Sequence, residues 1–215
     1  MQAVTLSAEY GVHFKKVLFP FSIIEIVSSL ERLGYDIAPE IPFPRPVGRF
    51  SGVGEIGRKG KLSIQVDGGA QVLRSVGVSI SSALTGFNEL AKALNEDYKV
   101  DIIPFVRFYQ VMANYEVTTT NNALKRIADK SGAPVLKEFG KVLGYEISST
   151  ELKFGAKNFE PNSESWFDIH IMPNYERNDR YLFSLVYRNA EKEKTQVFID
   201  HIEENIVKFA EFIDR

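Results

Sequence analysis

Leu33-Gly34-Tyr35-Asp36-Ile37 recurs further along the chain as Leu143-Gly144-Tyr145-Glu146-Ile147. Each copy closes a stretch of helical apolar spacing and opens a β-rich one. Each also places glycine where the residue after a helix turns left-handed, a conformation that side-chain-bearing residues resist. Outward from the two copies the order of elements is the same.

Ahead of the first copy, residues 4–14 are β-rich. Ser22 is followed by Glu25 in a capping-box pattern, and Ile23, Ile24, Val27, Leu30 and Leu33 keep helical spacing up to Gly34. Beyond it, a proline-rich connection (Pro39, Pro42, Pro44, Pro46) leads to three strand candidates over 49–56, 61–66 and 71–78. Arg58-Lys59-Gly60 and Asp67-Gly68-Gly69 supply the turns between them. A helix from Ser81 or Ser82 to Asn95 carries Leu84, Phe87, Leu90, Ala91 and Leu94 on one face.

Around the second copy, 102–117 is β-rich with Pro104 near its start, where proline is tolerated in a strand. Thr120-Asn121-Asn122 offers caps for a helix bearing Leu124, Ile127 and Ala128. Ser131-Gly132-Ala133-Pro134 interrupts that helix and restarts it through Phe139, Val142 and Leu143 to Gly144. Strands are expected over 145–154, 166–172 and 181–188. Thr195 is expected to cap a last helix whose inward face reads Phe198, Ile202, Ile206, Phe209 and Ile213.

The pattern reads β-α-β-β-β-α twice, which predicts an α+β protein. One curved antiparallel sheet of about eight strands would carry helices on one face. Neither half buries its edges alone, so 1–215 is read as a single pseudo-duplicated domain, with repeats over about 1–100 and about 101–215. In element order this resembles the TATA-box-binding-protein-like and helix-grip folds, over most of the chain. The resemblance rests on topology and on no sequence motif, so it assigns no functional residue.

The chain has 215 residues, 44% apolar and 25% charged, with 26 Lys plus Arg against 28 Asp plus Glu for a formal charge of -2. That balance supplies no global attraction for a phosphate backbone or an anionic membrane. Absence of cysteine removes thiolate chemistry, disulfides and cysteine-ligated metals. No basic-then-apolar leader opens the sequence, and the longest apolar runs are far short of a membrane span, so a cytoplasmic protein without a membrane partner is expected.

Several motifs invite chemistry. Gly52-Val53-Gly54-Glu55-Ile56-Gly57 matches the dinucleotide fingerprint, but a proline-rich stretch precedes it and a strand follows, so bulge or close-approach glycines explain it better. No cofactor is expected. Arg58, Lys59 and Lys61 form a basic loop that could meet a phosphate or an acidic partner, although a solvated hairpin tip is the favoured explanation. In Trp166-Phe167-Asp168-Ile169-His170-Ile171-Met172, Phe167, Ile169 and Ile171 share the helix-facing side, while Trp166, Asp168, His170 and Met172 share the other. Asp168 and His170 lie too far apart along a strand for a carboxylate–imidazole pair, no nucleophile accompanies them, and His13 and His201 have no ligand spacing.

The functional expectation is therefore a non-enzymatic protein that uses the helix-free sheet face for a protein partner or for self-association. Trp166, His170, Met172, Tyr181 and Tyr187 are the candidate contacts. The alternative is an apolar small-molecule carrier or enzyme with a helix-grip pocket between sheet and helices. Nucleic-acid binding ranks below both. A fold-back of 38–47 over the sheet would remove the exposed face altogether.

Overall fold

Alternation decides the first strand. In Ala3–Phe14 (β1), Ala8, Tyr10, Val12 and Phe14 are buried on one side, while Ser7, Glu9, Gly11 and His13 occupy the other. This computed structural model describes residues 1–15, 22–38, 53–130, 134–157, 160 and 163–215. The proline-rich connection, and with it the alternative of a fold-back of 38–47 over the sheet, falls almost wholly outside the described residues.

Ile23–Arg32 forms α1, and the capping box is present as expected. Ser22 Oγ accepts from the Glu25 amide at 3.4 Å, and the Glu25 carboxylate accepts from the Ser22 amide at 2.6 Å. After α1 come β2 (Asp36–Ile37), β3 (Val53–Lys59), β4 (Leu62–Asp67), β5 (Val72–Gly77) and α2 (Ile80–Tyr98). A 3-10 turn (Ile103–Phe105) precedes β6 (Val106–Thr118), α3 (Ala123–Lys130), α4 (Pro134–Leu143), β7 (Leu152–Gly155), β8 (Trp166–Pro173), β9 (Arg180–Asn189) and α5 (Lys192–Asp214).

The nine strands make one sheet in the order β2-β3-β4-β5-β1-β6-β9-β8-β7. Every neighbouring pair is antiparallel. The α+β class and the helix-on-sheet layering agree with the sequence reading. Reading outward from the central β1·β6 pair, each side steps back through its later strands in reverse chain order. Helices α1, α2, α3 and α5 join one face through a single apolar cluster that includes Tyr10, Ile26, Phe87, Val111, Ile127, Ile171, Phe183, Ile202 and Ile206. Gly86 lets α2 sit close: a Cβ there would stand 2.6 Å from Leu62 Cδ2 and 2.9 Å from Ser75 Oγ.

Several boundaries differ from expectation, each for a local reason. The sheet has nine strands because Asp36–Ile37 pairs with Arg58 and Gly57. The α2 cap is Ser79, which closes a box with Ser82 and starts the helix earlier than expected. Pro104 sits in the 3-10 turn, so β6 begins only at Val106. Thr195 is buried in the first turn of α5, donating its hydroxyl to the Glu191 carbonyl at 3.2 Å, and Glu191 takes the cap position. Of the expected 145–154 strand only the end is realised, as β7.

The repeated pentapeptide shows how far local chemistry reaches. Gly34 and Gly144 both adopt positive φ, 78° and 73°, and both end a helix. Yet Tyr35 is 4% exposed and Tyr145 is 77% exposed. On α4 the apolar residues expected to face inward, Phe139, Val142 and Leu143, are all exposed.

Candidate functional site

The strand register places six residues in one line across the helix-free face: Gln65, Arg74, Gly11, Gln110, Arg188 and Trp166, from β4, β5, β1, β6, β9 and β8. Arg74 Nε donates to Gln65 Oε1 at 2.9 Å, and its Nη1 pairs with Glu9 Oε2 at 3.3 Å. Arg188 Nε donates to Gln110 Oε1 at 2.6 Å. Its guanidinium carbon lies 4.8 Å from the Trp166 ring centre and 5.1 Å from that of Phe108.

Phe108 is the hub of this end of the face. His13 stacks on it with ring centres 4.1 Å apart and planes 24° from parallel. Arg107 approaches the same ring to 5.8 Å and donates through Nε to Glu164 at 2.8 Å. Burial, followed by the charges of Arg188, Arg107 and Arg74, pushes the His13 pKa down to about 4, against a smaller opposing effect of a hydrogen bond with Gln110. Its Nε2 is buried without a hydrogen-bond partner among the described residues. Burial and the nearby Arg107 also lower the pKa of Arg188.

Elsewhere the face is polar and internally paired. Arg180 pairs with Glu116, Lys153 with Asp168 at 3.0 Å, and His170 Nε2 with Glu151 at 2.6 Å. Arg58 makes a two-point contact with Glu55 at 2.8 and 2.6 Å, and that hydrogen bonding is the main cause of the lowered Glu55 pKa. Met112, Val186, Leu182 and Met172 intervene, half-buried, and Val4 and Leu6 are exposed at the start of β1.

Of the expected contacts, Trp166, His170 and Met172 lie on this face. Tyr181 and Tyr187 do not, which corrects the expectation. They pair with Val117 and Val111, whose side chains are in the core, so their own side chains share the helix side. Tyr181 Oη donates to Asp214 at 2.6 Å, and Tyr187 stacks on Phe198 of α5 at 3.9 Å. Asp168 and His170 take different partners and form no dyad. Arg58 and Lys59 belong to β3, and Lys61 is exposed in the following turn. Lys59 Nζ donates to the Leu33 carbonyl at 3.0 Å, at the end of α1 where a cation is favoured. Apart from Gly52, which lies outside the described residues, the glycine-rich motif falls within β3 and leads into a hairpin.

His13, Phe108, Arg107, Gln110 and Arg188 are not among the sequence candidates. The one legible signal is alternation, which puts His13 opposite Val12 and Phe14, and Arg188 in line with Leu182, Ser184 and Val186. The register that joins them is not written in any one segment.

Hollows lie at the periphery. One of about 740 Å3 is lined by Ala128, Leu136, Gly140, Tyr145 and Ile147 beside α4, and another of about 300 Å3 lies between the start of α2 and α5. Between sheet and helices, Tyr10, Tyr115, Tyr181 and Phe183 are fully buried. Among the described residues no helix is long and apolar enough to cross a membrane, and no group of His, Asp and Glu has the arrangement of a metal site. No protein family matches the chain, and neither does any curated protein.

Proposed function

We propose that this is a non-enzymatic recognition protein that binds a protein partner through the helix-free face of its sheet. The observation carrying this reading is the cluster of Trp166, Arg188, Phe108, Arg107 and His13 on a face where none of the packed helices lies. Trp and Arg are among the side chains that most often dominate interface energetics. Nine strands at about 4.8 Å spacing and about 25 Å of strand length offer on the order of 1,000 Å2, enough for one side of a standard interface. Most cations on the face already have carboxylate partners, which weakens its case as a track for a phosphate backbone.

The test compares Trp166→Ala and Arg188→Ala with Val197→Ser, an exposed change on α5, in affinity capture and in light scattering after size-exclusion chromatography. A partner retained by the wild type and Val197→Ser but released by both face variants supports the reading. Equal retention by all four proteins removes the face from recognition. A wild-type dimer that becomes monomeric in the face variants would make the partner a second copy of this chain.

A further inference from the structure

We propose that the Arg188 end of this face is an oxyanion subsite that receives a carboxylate from an acidic peptide segment of the partner. The proposal rests on the recognition reading and names the chemistry of the contact. Three guanidiniums, Arg74, Arg107 and Arg188, meet two carboxylates, Glu9 and Glu164. With His13 neutral, three against two leaves one positive charge in excess. It resides on Arg188, whose hydrogen-bond partner is the uncharged Gln110 amide.

Geometry leaves that charge usable. The rings of Trp166 and Phe108 hold the guanidinium through its faces, and Nε is committed to Gln110. Both Nη groups have no acceptor among the described residues, and such a fork matches a carboxylate two-to-two. His13 Nε2 is a second polar atom without a partner beside the same ring. Gly11, between Arg74 and Gln110, lets the Arg74 side chain pack close over β1: a Cβ there would come within 2.9 Å of Arg74 Cβ. Burial, and after it the charge of Arg107, lowers the Arg188 pKa, and an incoming carboxylate would offset the repulsion between the two guanidiniums. One surplus charge matches one carboxylate; a nucleic-acid backbone would need a run of unpaired cations, and Arg180, Lys153 and Arg58 are each paired.

Trp166 is the chain's single tryptophan, so its fluorescence reports on this subsite alone. The probes are an end-blocked decaglutamate peptide, the matching decaglutamine peptide and inorganic phosphate, titrated at constant ionic strength. A saturable response to decaglutamate, absent with decaglutamine and at least tenfold weaker in Arg188→Gln, is expected. Arg32→Gln, on the opposite side of the sheet, should bind like the wild type. If Arg188→Gln does not fold by circular dichroism, Arg107→Gln serves instead, and it should also weaken the response.

A linear response, an equal response to decaglutamine, or full binding by the folded variants overturns the proposal. So does saturation by phosphate below the peptide concentration, which would assign the subsite to phosphate. Should decaglutamate fail while Trp166→Ala still releases a captured partner, the recognition face stands without this subsite. Should decaglutamate bind while the face variants retain the partner, the subsite exists and the recognition reading falls.

Discussion

Acidification from pH 7 to pH 5 should cost this protein stability through His13 specifically. The ring is held neutral by burial and by three guanidiniums, with a folded pKa of about 4 against 6.5 in the open chain. Below pH 6.5 the unfolded chain therefore binds more protons than the folded one, and the stability associated with the neutral ring falls as pH falls. It is fully present above 6.5, and its loss is complete below about 4. For a fully shielded ring, linkage between pH 7 and 5 amounts to about 2 kcal/mol; partial solvent access to His13 reduces this to about 1 kcal/mol. The assay is urea denaturation of wild type and His13→Gln at both pH values. The wild type should lose about 1 kcal/mol more than the variant on going to pH 5. Equal losses, or a His13 imidazole that titrates near its open-chain value by NMR, would refute the electrostatic description of the Phe108 cluster. Arg188→Gln should move that titration upward, since it removes one of the repelling charges.

Gly86→Ala should destabilise by about 1–3 kcal/mol in thermal or urea unfolding, because the new methyl overlaps Leu62 and Ser75 and outweighs the gain in helix propensity. Ser22→Ala should cost about 1 kcal/mol through loss of the α1 capping box, read in the same assay. Tyr181→Phe should cost about 1–2 kcal/mol, since the Asp214 carboxylate loses a donor at a half-buried site although Thr119 still donates to it. Val142→Ser on α4 should change stability by less than about 0.5 kcal/mol, as its side chain is 83% exposed. Expressed separately, residues 1–100 and 101–215 each leave one edge of a long central strand unpaired, that of β1 or of β6. We expect neither half to give a monomeric, cooperatively unfolding protein; a half that does so would refute the reading of 1–215 as one domain.

Local chemistry is legible wherever a few neighbouring residues decide the outcome. Ser22 and Glu25 define the start of α1 by satisfying each other's amides, and Gly34 and Gly144 both end helices because glycine enters the left-handed region without penalty. Alternation in Trp166–Pro173 separates Trp166, His170 and Met172 from Ile169 and Ile171, because successive side chains of a strand point to opposite faces. The same rule applied to β9 leaves its two sides undecided, since tyrosine and phenylalanine alternate there with leucine, serine and valine. Only pairing with β6 sends Tyr181 and Tyr187 toward α5.

By itself, then, the chain determined element types, their order, the α+β class and the side of β8 that faces outward, all of which follow from short-range sterics and period-2 or period-3.6 patterning. Tertiary structure decided the rest. Two nearly identical pentapeptides end with Tyr35 buried and Tyr145 in solvent, because burial depends on what packs against them. The His13, Phe108 and Arg188 cluster exists only once β1, β6 and β9 lie side by side in register, since a charge acts through distance in space and takes no account of separation along the chain.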